Sequence, residues 1–96
     1  MAEEKREIQI RIPDDVLKGR YANIVRIDTT REEFIMDFGV INPQQGTGIV
    51  TERIIMNPAH VKRMIEVLNR VMQGYEKSHG TVAPAEQQKE IGFTTA

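Results

Sequence analysis

The sequence contains no cysteine and no tryptophan, and its aromatic residues are limited to 2 tyrosines and 3 phenylalanines. Without cysteine, the chain can form neither disulfides nor thiolate metal sites, and thiol catalysis is excluded. It also lacks an apolar run of the roughly 20 residues that a membrane-spanning helix needs. Residues 1–6 are charged and show no apolar core of a secretory signal. We therefore expect a soluble, cytoplasmic protein without a membrane partner.

Charges of the two signs nearly balance, because 13 Lys and Arg accompany 14 Asp and Glu for a net charge of −1. No bulk attraction to nucleic acid is expected, although a local basic face would suffice for binding. A chain of 96 residues forms one domain at most, and its thin core leaves dimerisation as an option. The pattern predicts a loose lead-in over residues 1–6, a domain over residues 7–80 and a flexible tail over residues 81–96.

The strongest local signal is an amphipathic helix that begins after residue 57. Asn57 is a good N-cap, and Pro58 suits the first helical position, where a missing N–H costs nothing. The apolar side chains that follow share an arc of about 120°, at 100° per residue. They are Val61, Met64, Ile65, Leu68, Val71, Met72 and Tyr75. We expect the helix to end near His79, with Gly80 as its C-terminal cap. Such a helix is not stable alone in water and needs an apolar surface to cover.

Alternating segments before this helix supply that surface. Residues 7–12, 20–28, 34–41 and 49–56 each read as a strand, and residues 16–19 form a single helical turn or a loop. Consecutive strands with short links favour an antiparallel meander. The sequence therefore predicts an α+β fold, a four-stranded antiparallel β-meander followed by one C-terminal helix that crosses one face of the sheet.

One helix covers only part of a four-stranded sheet, so the reverse face of the predicted sheet is expected to stay apolar. That face holds Ile24, Ile35 and Ile41, together with Ile54 or Ile55. An exposed apolar area of this kind usually marks an interface. This is the main physical reason to expect a homodimer or a partner protein.

The first turns of the predicted helix carry three candidate site residues. His60 could act as a ligand or a proton-transfer group, but a histidine without an acidic partner nearby in the sequence favours a packing and capping role. Lys62 and Arg63 could dock an acidic partner or a phosphate. Since both can also pair with Glu66, we favour a solvated charged face.

Two further features have plain structural interpretations. Asp37 interrupts an apolar strand, and we expect it to pair across the sheet with Arg26 or Arg53 rather than to act in catalysis. The loop that contains Gly46 and Gly48 precedes a strand and lacks the Lys-Ser or Lys-Thr pair of a phosphate-binding loop. No nucleophile–base pair or metal cluster is apparent, so we predict no enzyme activity, no cofactor and no metal.

Several short motifs, in a specific order, resemble a family of small bacterial and archaeal proteins catalogued as a domain of unknown function. They are Tyr21-Ala22-Asn23, Glu33-Phe34, Asp37-Phe38 and Arg53-Ile54-Ile55-Met56-Asn57-Pro58, followed by His60 and Lys62-Arg63. The resemblance covers roughly residues 8–72 and implies no reaction or ligand. It suggests a role related to transcription, with RNA polymerase as a possible partner. The predicted element order is also similar to that of coactivator and Whirly-type single-strand-binding modules, which is an analogy of fold alone.

We therefore expect a non-enzymatic interaction module, either a homodimer or a small accessory subunit of a larger assembly. The residues predicted to carry its interactions are Ile24, Ile35, Ile41, Arg53, His60, Lys62, Arg63, Ile91 and Phe93. The alternative is a module that binds single-stranded nucleic acid through basic phosphate contacts. Those contacts are Arg11, Arg20, Arg26, Arg53, Lys62 and Arg63.

Overall fold

The computed structural model describes residues 6–85 and shows an α+β fold. In chain order its elements are α1 (Asp14–Leu17), β1 (Ile24–Thr29), β2 (Phe34–Asn42), β3 (Thr47–Met56) and α2 (Pro58–His79). The three strands form one sheet in the order β1-β2-β3, with antiparallel neighbours throughout. The predicted antiparallel sheet followed by a C-terminal helix is confirmed, with three strands in place of four.

The strand predicted over residues 7–12 is not formed. Ile8 and Ile10 lie outside the sheet and are 78% and 84% exposed. Alternation of apolar and polar residues fixes only the side-chain period of a strand. A strand also needs a neighbour whose backbone groups it can pair with, and no strand within residues 6–85 pairs with this segment.

Strand β1 begins at residue 24 rather than at residue 20, because the side chain of Asn23 bonds to backbone groups of β2 that an earlier strand residue would need. The Asn23 backbone N–H donates to the Gly39 carbonyl over 2.9 Å. Its side-chain amide then donates to the Ile41 carbonyl over 3.1 Å, and its Oδ1 accepts the Ile41 N–H over 2.8 Å. The Asn23 side chain thus occupies the N–H and the carbonyl of Ile41, which a further residue of β1 would otherwise have bonded. Strand pairing therefore does not extend before Ile24.

A bulge in β3 determines which side chains share a face. The register runs from Phe38 opposite Glu52 to Gly39 opposite Val50, so Thr51 is an extra residue. The Thr51 hydroxyl donates to the Phe38 carbonyl over 3.3 Å. After the bulge, the residues opposite Ile35 and Asp37 in β3 are Ile55 and Arg53. Of the two alternatives predicted for the reverse face, Ile55 is therefore the correct one, and Ile54 lies on the other face with Met36.

Helix α2 agrees closely with its prediction. The Asn57 side chain accepts the backbone N–H of His60 over 2.8 Å, and Pro58 occupies the first turn. Gly80 ends the helix with φ of 92°, and its N–H donates to the Glu76 carbonyl over 2.8 Å. A positive φ is easily reached by glycine, which is why the chain leaves the helix here.

The packing of α2 differs from its prediction. Among the described residues, the buried apolar side chains are Met36 of β2 and Val61 of α2, at 2% and 5% exposure. Leu68 and Met72, which were expected to cover the sheet, are 58% and 49% exposed. The extensive backbone contacts between elements are those of β1 with β2 and of β2 with β3. The helix is therefore covered near its first turns and leaves most of its apolar side open. The prediction that it crosses the sheet is wrong because an amphipathic pattern does not say what covers the apolar side.

Candidate interaction surfaces

The largest continuous apolar feature of α2 is its open side, which we call the exposed stripe. It consists of Ile65, Leu68, Val71, Met72 and Tyr75, and each of these residues is between 49% and 61% exposed. The last four, together with Val82, line an open groove. Contiguous apolar residues at helical spacing on an otherwise polar helix are typical of an interaction surface.

The chain that follows α2 turns back beside the exposed stripe. After Gly80, the backbone N–H of Val82 donates to Oε2 of Glu76 over 2.7 Å. This bond holds Val82 at the edge of the groove, where it remains 43% exposed. Sequence reasoning gave no role to Val82 or Glu76. A valine placed a few residues after a helix-ending glycine is the signal that could have indicated the contact.

The second apolar surface is the sheet face predicted from the sequence as the reverse face, and we keep that name for it. The strand register places Ile24, Ile35, Ile41 and Ile55 on the same face. The first three are half-buried, and Ile55 is exposed. The predicted grouping of these isoleucines is confirmed, and their role in an interaction stays a prediction.

A charged row crosses the middle of this reverse face. Arg26, Asp37 and Arg53 stand directly opposite one another on the three strands. Asp37 is 3% exposed, and its Oδ1 and Oδ2 accept bonds from Nε and Nη2 of Arg53 over 2.6 and 2.8 Å. Nη2 of Arg26 donates to Oδ2 over 3.3 Å. The predicted cross-strand pair is therefore confirmed with both arginines rather than with one.

The row shifts the pKa values of Asp37 and Arg53. Hydrogen bonding from Arg53 is the main cause that lowers the pKa of Asp37, in opposition to the burial of the carboxyl, and Arg26 adds to the lowering. The same bond raises the pKa of Arg53. A carboxylate held by two guanidinium groups is a poor proton acceptor. This arrangement supports a structural role for Asp37.

A prediction about pH follows from this row. The folded-state pKa of Asp37 lies below its ordinary value of 3.8. Its contribution to stability is therefore complete above pH 3.8 and is lost as pH falls from that value through the folded-state pKa. We expect Asp37→Asn to melt at a lower temperature than the native chain at neutral pH and to lose less stability on acidification. Circular-dichroism melting curves at a series of pH values measure both effects, and identical acid sensitivity of the two proteins would contradict the prediction.

The remaining predicted site residues lie at the start of α2 or outside the described part of the chain. The bond of His60 to the cap comes from its backbone, and its imidazole is exposed. Nη1 of Arg63 lies 3.3 Å from Oε2 of Glu66, and Lys62 is exposed. Ile91 and Phe93 lie outside the described residues. No group of three His, Asp or Glu side chains in residues 6–85 is arranged to hold a metal.

The basic residues of the nucleic-acid alternative are mostly engaged in ion pairs. Nε of Arg20 lies 3.0 Å from Oε1 of Glu52, and Arg26 and Arg53 both hold Asp37. With Arg63 paired to Glu66, only two of the six proposed phosphate contacts lack an ion pair within the described residues. They are Arg11 and Lys62. The structure therefore offers less support for phosphate binding than the sequence suggested.

Comparison with known proteins gives a family without an assigned activity. The family model described as a protein of unknown function (DUF3467) matches residues 1–84. No curated protein and no solved structure matches the chain. In the described part of the chain, neither helix has both the length and the apolar character of a membrane span. Because the match extends over most of the 96 residues, the chain belongs to this DUF3467 family of proteins of unknown function.

Proposed function

We propose that the protein is a non-enzymatic interaction module that acts as a homodimer. The observation that carries this proposal is the exposed stripe of α2. Five apolar side chains, each about half exposed, amount to on the order of 500 Å² of apolar surface per chain, which approaches the roughly 800 Å² per partner of a standard interface. Leaving that surface in water forgoes on the order of 10 kcal/mol per chain.

A second copy is the natural occupant, because each chain brings the same uncovered stripe to the contact. In a two-fold interface, the same patch serves both subunits. The thin core, in which only Met36 and Val61 are buried apolar residues of the described chain, also favours a fold completed by association. The helix carries charged residues on its opposite side, which keeps the remainder of its surface in water.

The reverse face of the sheet supports a second proposal, that the dimer docks on a larger assembly. Its isoleucines surround two arginines whose side chains are 48% and 56% exposed while they hold Asp37. Such a surface suits a partner that presents apolar side chains beside an acidic group. A transcription-related partner such as RNA polymerase remains an expectation from the family resemblance.

The homodimer is tested by the dependence of thermal stability on protein concentration. If folding is coupled to association, the melting temperature rises with chain concentration, because mass action favours the associated state. We expect a clear rise over a hundredfold concentration range, measured by circular dichroism at one buffer composition. A melting temperature that stays constant over that range would contradict the proposal.

A further inference from the structure

We propose that two copies pair through α2 in an antiparallel arrangement, with Asn69 of each chain at the two-fold axis. The inference rests on the proposed homodimer and adds the surface, the direction and the register of the contact. Helix α2 extends from Pro58 to His79, so Asn69 lies at its middle. Pairing about this residue sets the exposed stripes of the two helices, which run from Ile65 to Tyr75, against each other.

The first support comes from one border of the exposed stripe. At 100° per residue, Lys62, Asn69 and Glu76 all fall on the same side of a stripe centred on Leu68. They recur every seven residues, which corresponds to two helical turns. This border therefore carries a positive charge near the start of α2, a neutral amide at the middle and a negative charge near the end.

The order of these charges favours antiparallel pairing. In an antiparallel helix pair, equivalent borders of the two helices face each other, and Asn69 opposite Asn69 sets Lys62 opposite Glu76 of the second copy. The symmetry forms this opposite-charge pair twice. In a parallel pair, this border would instead face the other border of the second helix, which carries His60, Val67 and Gly74 and no acidic side chain to pair with Lys62. Only the antiparallel direction therefore pairs Lys62 of one copy with Glu76 of the other.

The apolar side chains fit the same register. With Asn69 at the axis, Leu68 lies nearly opposite Val71 of the second copy, and Ile65 lies nearly opposite Met72. Met64, which is half-buried in one chain, lies nearly opposite Tyr75. The apolar residues are thus compatible with the alignment that the charges favour, although the two sets lie on different parts of the helix surface.

The hydrogen bond to Val82 is compatible with this contact. The backbone N–H of Val82 donates to Oε2 of Glu76. The other carboxylate oxygen of Glu76, Oε1, makes no hydrogen bond within residues 6–85 of one chain. Lys62, for its part, makes no ion pair within those residues. Each member of the proposed pair therefore keeps a group available for the second copy.

Single-cysteine cross-linking tests the arrangement directly, because the native sequence has no cysteine. Along the axis of an antiparallel pair, residue 62 of one chain lies about 21 Å from residue 62 of the other, at 1.5 Å per residue. We expect Asn69→Cys to give a covalent dimer with a bismaleimide that spans much less than this distance. Lys62→Cys alone and Glu76→Cys alone should remain uncross-linked, and an equimolar mixture of the two should cross-link.

The other outcomes separate this inference from the proposed function. Cross-linking of Lys62→Cys with itself, or of Glu76→Cys with itself, would place like residues at the same height along the two helices and overturn the inference. Absence of cross-links at every position, in a protein that light scattering shows to be dimeric, would place the interface elsewhere and leave the homodimer standing. A monomeric native chain would overturn both proposals.

Discussion

Leu68→Asp is expected to weaken self-association by at least about 100-fold, which corresponds to roughly 2.7 kcal/mol. Leu68 lies at the centre of the exposed stripe and is 58% exposed in one chain. A two-fold interface would bury two introduced carboxylates for a single substitution, and burying an unpaired charge is strongly unfavourable. Sedimentation equilibrium of the native and variant chains measures the change in the dimer dissociation constant.

The matched control for this variant is Gln73→Asp. It introduces the same charge on the same helix, but Gln73 is exposed and lies on the polar side of α2. We expect its dissociation constant to stay within a few-fold of the native value, because a surface charge interaction is worth at most about 1 kcal/mol. Equal weakening by the two substitutions would show that charge alone is responsible and would remove the stripe from the interface.

Gly39→Ala is expected to lower the stability of the fold by about 1–3 kcal/mol, the usual cost of forcing extra atoms into a filled space. A Cβ atom at Gly39 would meet the backbone carbonyl of Ile49 and lie 3.0 Å from Cα of Val50. These atoms belong to the strand beside the bulge, so they cannot move aside as the end of a flexible side chain would. Urea or thermal unfolding at fixed protein concentration measures the loss.

Gly74→Ala provides the matched control because it makes the same chemical change in open space. No heavy atom lies within 4 Å of a Cβ built at Gly74, which is inside α2. Alanine favours a helix over glycine by roughly 0.8–1.0 kcal/mol, so this variant should be more stable than the native chain. A Gly39→Ala protein as stable as Gly74→Ala would contradict the bulge geometry described above.

Local signals in the sequence were enough to predict α2. Asn57, Pro58 and Gly80 act on backbone groups within one turn of themselves, so their effect does not depend on the rest of the fold. The Asp37 pairing was also accessible, since a carboxylate in the middle of an apolar strand needs a cationic neighbour. Arg26 and Arg53, on the two adjacent strands, supply a cationic neighbour on each side of Asp37.

Features that depend on distant partners were not predictable in the same way. The alternation of Ile8, Ile10 and Ile12 indicates a strand only if a sheet edge is available, and residues 6–85 form no such pairing. The extra residue at Thr51 is not visible in the pattern of β3. Gly39 was the one available hint of the bulge, since glycine within a strand often marks a close backbone approach.

The open side of α2 shows the same limit for the candidate site. The spacing of Leu68 and Met72 indicates an apolar side that something must cover, but it does not distinguish the chain's own sheet from a second chain. The seven-residue spacing of Lys62, Asn69 and Glu76 was present in the sequence. It indicates a contact only once the stripe beside these residues is known to be open.

The mass of the native chain in solution decides whether the protein is a homodimer. Size-exclusion chromatography with multi-angle light scattering should give 22.0 kDa, twice the 11.0 kDa of one chain. That value should persist on dilution until the dissociation constant is approached. A constant mass of 11.0 kDa at all concentrations would mean that the exposed stripe of α2 stays in water, and it would contradict the homodimer.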